Sequence, residues 1–188
     1  MNKRITLRDI AGYCPEEAIW KMVIDLGQSI KDNGHCPLSP DGVMVDDKAF
    51  LTDDSADTQS QFLAPECTDG ATKGQAQQIW SLGALVYYAS SGRTLFGGYG
   101  GAYQKNHPNV LLPTLRKDHQ SLTALVQQCL AFDPSSRIGI DRVMDEARKG
   151  YEQCCKAKRC PIGKTRGTMA ATTRHKTENW PEEMQETI

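Results

Sequence analysis

Residues 74–90 read Gly-Gln-Ala-Gln-Gln-Ile-Trp-Ser-Leu-Gly-Ala-Leu-Val-Tyr-Tyr-Ala-Ser, and from Ile79 onward they are apolar on nearly every face of a helix. A helix with no polar side belongs at the centre of a domain, where every face meets protein. Gly92 stands just beyond it, where a helix C-cap glycine is expected. The stretch therefore predicts a buried central helix around which the rest of the chain packs.

The flanking segments supply that packing. On the N-terminal side, Pro15-Glu16-Glu17 places a proline and two acids at a helix start, a pattern that suits the missing hydrogen bonds and the positive end of the dipole. Ala18, Ile19, Met22, Val23, Leu26 and Ile30 then recur every three or four residues and define one buried face, which Asn33-Gly34 ends. Val43-Met44-Val45 and Ala49-Phe50-Leu51, separated by Asp46-Asp47-Lys48, predict a small hairpin. On the C-terminal side one amphipathic helix is expected around Leu122, Leu125, Val126, Cys129 and Leu130. A second is expected around Val143, Met144, Ala147 and Tyr151, with the turn-rich Asp133-Pro134-Ser135-Ser136-Arg137 between them. The fold class is mainly α with one β-hairpin.

The chain has 188 residues and a formal net charge of −1, with 39% hydrophobic and 24% charged residues, the composition of a globular protein. No stretch approaches the roughly 20 apolar residues of a membrane span. The start, Met-Asn-Lys-Arg-Ile-Thr-Leu-Arg-Asp, has no apolar run behind its positive charges and does not read as a signal peptide. Seven cysteines at 14, 36, 67, 129, 154, 155 and 160 suggest reduced thiols and a cytoplasmic location. Residues 1–150 carry 15 basic and 18 acidic side chains, whereas 151–188 carry 7 and 5. All seven bases of the latter lie between Lys156 and Thr177, with no acid and no apolar period. A domain over 1–150 and a flexible tail over 151–188, basic and then acidic, are expected.

The order of these pieces resembles the C-terminal lobe of eukaryotic-type protein kinases. Ile79-Trp80-Ser81-Leu82-Gly83, followed by Ser91-Gly92-Arg93 and Phe96, is similar to the long central helix of that lobe and the loop after it. Phe62-Leu63-Ala64-Pro65-Glu66 contains the Ala-Pro-Glu that closes the activation segment. Cys129-Leu130 and Asp133-Pro134-Ser135-Ser136-Arg137 resemble the late helix pair. The resemblance implies a mainly α, kinase C-lobe-like domain in which Glu66 pairs with Arg137, a contact that supports the fold rather than chemistry.

The same resemblance directs attention to the catalytic segments. His35-Cys36-Pro37-Leu38-Ser39-Pro40-Asp41-Gly42-Val43 resembles the loop in which an Asp accepts the substrate hydroxyl proton and an Asn holds magnesium. Pro37 stands at the Asp, Ser39 at the Lys and Gly42 at the Asn, while His35 matches a packing histidine. Leu51-Thr52-Asp53-Asp54-Ser55 resembles the metal-binding Asp-Phe-Gly region, so Asp53 is the surviving carboxylate. One carboxylate alone is a poor magnesium site. About thirty residues precede His35, enough for the first helix but not for a β-rich N-lobe, and 53–64 is short for an activation loop.

Ile5-Thr6-Leu7-Arg8-Asp9-Ile10, then Cys14-Pro15-Glu16-Glu17-Ala18-Ile19-Trp20, together with Leu38-Ser39-Pro40, is similar to the kinase non-catalytic C-lobe domain, the KIND module. That likeness implies a pseudokinase, not an enzyme, working as a protein–protein interaction scaffold with no nucleotide, metal or cofactor. The competing reading is part of a split kinase whose N-lobe arrives on another chain and which uses Asp53 for metal.

Other signals are weaker. Gly163-Lys164-Thr165 lacks the earlier glycine and strand of a phosphate loop. Gly97-Gly98-Tyr99-Gly100-Gly101 follows a helix and reads as a loop. Cys154, Cys155, Cys160 and His175 offer zinc ligands at no common spacing. Trp20 and Trp80 are expected in the core, whereas Trp180, among acids, is either a docking segment or part of a disordered end. The run from Lys156 to Lys176 lacks interleaved aromatics and reads as a solvated linker rather than a nucleic-acid or membrane contact.

Overall fold

A computed structural model describes residues 4–34, 36, 38–46, 49–52, 59–68, 74–116 and 119–159. In chain order the helices are α1 (Leu7–Ile10), α2 (Glu16–Asn33), α3 (Gln75–Ser91), α4 (Gly100–Asn106), α5 (Gln120–Cys129) and α6 (Ile140–Arg159). Strands β1 (Val43–Asp46) and β2 (Ala49–Thr52) form an antiparallel hairpin with Val43 opposite Thr52 and Asp46 opposite Ala49. The mainly α, kinase C-lobe-like class read from the sequence is the architecture observed.

The central helix is α3. Ile79, Trp80, Leu82, Ala84, Leu85, Val86 and Ala89 are all buried, and Gly92 ends the helix at φ 67° with its N–H on the Tyr88 carbonyl at 2.8 Å. Buried polar groups on this helix find partners. Ser81 Oγ donates to the Phe62 carbonyl at 2.5 Å, and Gln77 Nε2 donates to Ser81 Oγ at 3.0 Å. Trp80 Nε1 donates to Gln104 Oε1 at 2.9 Å, whose amide in turn donates to the Leu130 carbonyl at 2.8 Å. Among the described residues no buried side-chain nitrogen or oxygen is left without a partner, as a tightly packed interior requires.

Helix α2 buries Ile19, Trp20, Met22, Val23, Leu26 and Ile30, the face its periodicity predicts, and lies along α6. The two helices approach so closely that a Cβ on Gly150 would enter the Trp20 ring. Val143, Met144 and Ala147 of α6 and Leu122, Leu125, Val126 and Cys129 of α5 complete the core. Helix α6 continues to Arg159, with Tyr151 and Cys154 packed against that core, so the expected boundary at 150 falls inside a helix. The expected tail from residue 160, with Trp180, lies outside the described residues. No helix of the described residues is long and apolar enough to cross a membrane.

The segment before α2 is tied to the hairpin. Thr6 bridges Met44, Val45 N–H donates to the Ile5 carbonyl at 2.9 Å, and Gly12 N–H donates to the Ala89 carbonyl at 2.8 Å. Helix α1 is thereby held over the start of β1 and beside the end of α3.

Candidate functional site

The structure brings Glu66 and Arg137 together. Arg137 Nη1 meets Glu66 Oε1 at 2.5 Å and Nη2 meets Oε2 at 2.8 Å, a two-pronged pair that suits the planar guanidinium. The remaining donors go to backbone carbonyls: Nε to Ala131 at 2.8 Å, Nη1 to Ala76 at 3.0 Å and Nη2 to Phe132 at 3.1 Å. The five N–H groups are thus all used, and the Arg137 side chain is 1% exposed against 26% for Glu66. Local sequence places the arginine. Asp133 accepts from Ser135 N–H at 2.9 Å and caps the turn Pro134–Ser136, delivering Arg137 in extended backbone. The same hydrogen bond holds the Asp133 carboxyl below its ordinary range.

Through Glu66 the clamp fixes residues 59–68, and α4 closes over them. Gly101 N–H donates to the Leu63 carbonyl at 3.2 Å, and a Cβ on Gly101 would collide with the Leu63–Pro65 backbone. The five-residue glycine-rich stretch read as a loop thus ends in the first turn of a helix: Gly100 and Gly101 are small because α4 rests on another backbone. Phe62 is buried edge-on to Tyr88, with ring centres 5.8 Å apart. Outside this seam runs an aromatic row, with Phe96 stacked on Tyr103 at 5.4 Å and Tyr103 on His107 at 4.3 Å. Phe96 adopts φ 49°, an uncommon conformation for a residue with a Cβ, as the chain turns from α3 towards α4. Tyr99 is 69% exposed and Tyr103 37%.

The catalytic-loop counterpart is arranged as a turn. Ser39 is buried, and its Oγ accepts from Gly42 N–H at 3.1 Å, so the residue at the lysine position fastens its own turn. Cys36 N–H donates to Gln78 Oε1 at 3.2 Å. Sequence reasoning gave Asp41 no role of its own, yet it is a hub. Arg8 grips its carboxylate with Nε and with Nη2, the latter at 2.7 Å, and Gln59 Nε2 donates to it at 2.6 Å. The Arg8 hydrogen bond holds the Asp41 carboxyl below its usual range, against some desolvation. Partners 33 and 18 residues away leave no local pattern that would have exposed this contact.

His35, Pro37 and Asp53 lie outside the described residues. Gly42 offers no side-chain oxygen and the neighbouring Asp41 carboxylate is held by Arg8 and Gln59, so the described part of this loop does not fit a magnesium ion. Among the described residues, no group of three or more His, Cys, Asp or Glu side chains is arranged to hold a metal. Of the candidate zinc ligands, Cys154 and Cys155 sit on α6, with burial pushing the Cys154 thiol up to about 11, and Cys160 and His175 lie outside.

Comparison with known proteins agrees with this architecture. A family model described as the protein kinase domain matches residues 34–147, more than half of the chain. The chain belongs to the protein kinase domain family. It is 30% identical over 94 residues to serine/threonine-protein kinase KIPK2 of Arabidopsis thaliana, covering 47% of this chain and 10% of that protein. It is 35% identical over 78 residues to serine/threonine-protein kinase PkaB of Streptomyces coelicolor, covering 41% and 19%. KIPK1 of Arabidopsis thaliana matches at 29% over 94 residues, with the same coverage as KIPK2. The matched part spans between a tenth and a fifth of these relatives.

These likenesses overturn the expectation of a pseudokinase that is not an enzyme, because the family match and all three relatives point to a kinase. The physical reason lies in how little of the chain that expectation used. Pro37, Ser39 and Gly42 are three positions within six residues of sequence, whereas the family model matches 34–147, a span that takes in α3, α5 and the Glu66–Arg137 clamp.

Proposed function

We propose that this chain is the protein-docking lobe of a protein kinase, the half that holds a protein partner while phosphoryl transfer draws on a nucleotide-binding lobe supplied in addition. The observation that carries the reading is the seam between residues 59–68 and α4. Arg137 fixes one side of it from beneath, Gly101 lets the other side close onto backbone, and exposed Tyr99 and Tyr103 stand beside it. Aromatic side chains on a rigid backbone are effective protein-binding anchors, because they bring large contact area at small entropic cost. The likeness of residues 5–20 and 38–40 to the KIND module supports a docking role. The relatives are serine/threonine-protein kinases, which supports serine- or threonine-containing protein segments as the class of partner. Cys14, Cys129, Cys154 and Cys155 are free thiols, which supports a reducing, cytoplasmic setting.

The test is binding of an arrayed library of serine- and threonine-containing peptides to the full chain and to the Tyr99→Ser/Tyr103→Ser double variant. Saturable binding that the double variant weakens by about tenfold or more is the expected result. Absence of binding, or binding indifferent to both substitutions, would overturn the reading.

A further inference from the structure

Away from the seam, between the end of α3 and the segment leading into α5, lies a cleft of about 410 Å³. Among the described residues its lining includes Ser90, Ser91, Arg93, Thr114 and Arg116 and no acidic residue. Each bounding segment contributes one guanidinium, and both segments are anchored. Ser91 Oγ donates to the Tyr87 carbonyl at 2.7 Å and accepts from Arg93 N–H at 3.1 Å, which fixes the backbone carrying Arg93. On the other side, Leu115 N–H donates to Thr123 Oγ1 at 3.1 Å, and the Arg116 carbonyl accepts from His119 N–H at 2.9 Å. Ser90 is buried in the floor, with its Oγ 3.4 Å from His119 Nδ1.

Capping of α3 is a structural use for positive charge at this place, but the helix end is already served. The carbonyls of Tyr87, Tyr88 and Ala89 accept from Ser91 Oγ, Gly92 N–H and Gly12 N–H. Among the described residues nothing is hydrogen-bonded to the Arg93 guanidinium, and Arg116 has five N–H donors to distribute among its contacts. Two guanidiniums and the Thr114 hydroxyl, around a cleft with no acid among its described lining, match a compact dianion with several acceptor oxygens.

We propose that this cleft binds a phosphate monoester, with Arg93 and Arg116 gripping its oxygens and the Thr114 hydroxyl adding a hydrogen bond. The site is separate from the docking seam and does not depend on that reading. The same chemistry is presented by free inorganic phosphate and by a phosphorylated side chain, and the two are distinguished by titrating the full chain calorimetrically with inorganic phosphate and with O-phosphoserine. Saturable one-to-one binding is expected, weakened by about tenfold or more in Arg93→Gln/Arg116→Gln, because charge-assisted bonds to the ligand are lost. Tighter binding of O-phosphoserine identifies a phosphorylated side chain as the ligand, and equal binding identifies free phosphate. Both arginines are exposed, so the double variant should keep its ligand-free melting midpoint. Arg93→Lys provides a folded, charge-conserving check and should bind with intermediate strength. No binding of either probe would overturn the proposal. So would unchanged affinity in the double variant, or affinity that falls instead in Lys164→Gln/Arg166→Gln.

Discussion

Arg137 holds Glu66 across 71 positions of sequence by a two-pronged ion pair, with bonds of 2.5 and 2.8 Å. Its remaining donors staple the carbonyls of Ala76, Ala131 and Phe132. One side chain thus joins residues 59–68, the start of α3 and the turn after α5. Arg137→Ala should cost about 3–5 kcal/mol, since it leaves a partly buried carboxylate and three carbonyls unserved. Arg137→Lys should recover only part, because an ammonium cannot reproduce the fork. Denaturant unfolding measures both, and a near-neutral Arg137→Ala would contradict this role.

The Trp80–Gln104–Leu130 relay makes a second prediction. In Gln104→Leu the indole N–H and the Leu130 carbonyl lose their partners in the interior, at about 1–3 kcal/mol for each stranded group. The melting midpoint should fall clearly, and Gln104→Glu should not restore it, since a carboxylate cannot donate to Leu130.

Where α4 meets residues 61–65, Gly101→Ala places a methyl group against backbone that has no side chain to move aside. The expected loss is about 1–3 kcal/mol from overpacking, together with weaker peptide binding as the seam opens. Unchanged stability would show that α4 does not rest there.

Acid should expose the Arg8–Asp41 contact. Because the folded-state carboxyl of Asp41 sits below its ordinary value, its contribution is complete above the unfolded pKa of about 3.9 and is lost as the pH falls through the lower folded value. Both side chains are about half exposed, at 50% and 48%, so the effect is limited to about 1 kcal/mol or less. Asp41→Asn should flatten this part of the acid limb in a stability–pH profile and leave the limb above pH ~5 unchanged.

The parts readable in the sequence were those encoded locally. The all-round apolar run of α3, the 3.6-residue period of α2 and the two short apolar runs of the hairpin each state their own structure, and Asp133-Pro134 announces the turn before Arg137. Glu66 and Arg137 were paired only through the family resemblance, since nothing within either segment names the other. The Arg8–Asp41–Gln59 contact escaped notice for the same reason: it joins polar residues from three separate segments. Gly100 and Gly101 read as loop because a glycine needed for close packing looks, in sequence, like a glycine needed for a turn. The expectation of a chain without enzymatic identity failed because it weighed the Pro37 loop above a fold-wide likeness to kinases.

Amide hydrogen exchange of the full chain, with and without the tightest peptide from the array, tests the docking seam most directly. The account predicts slowed exchange on binding, concentrated in residues 59–68 and along α4, with the end of α3 near Arg93 unaffected. Protection confined to other elements, with 59–68 and α4 exchanging as in the free chain, would contradict it.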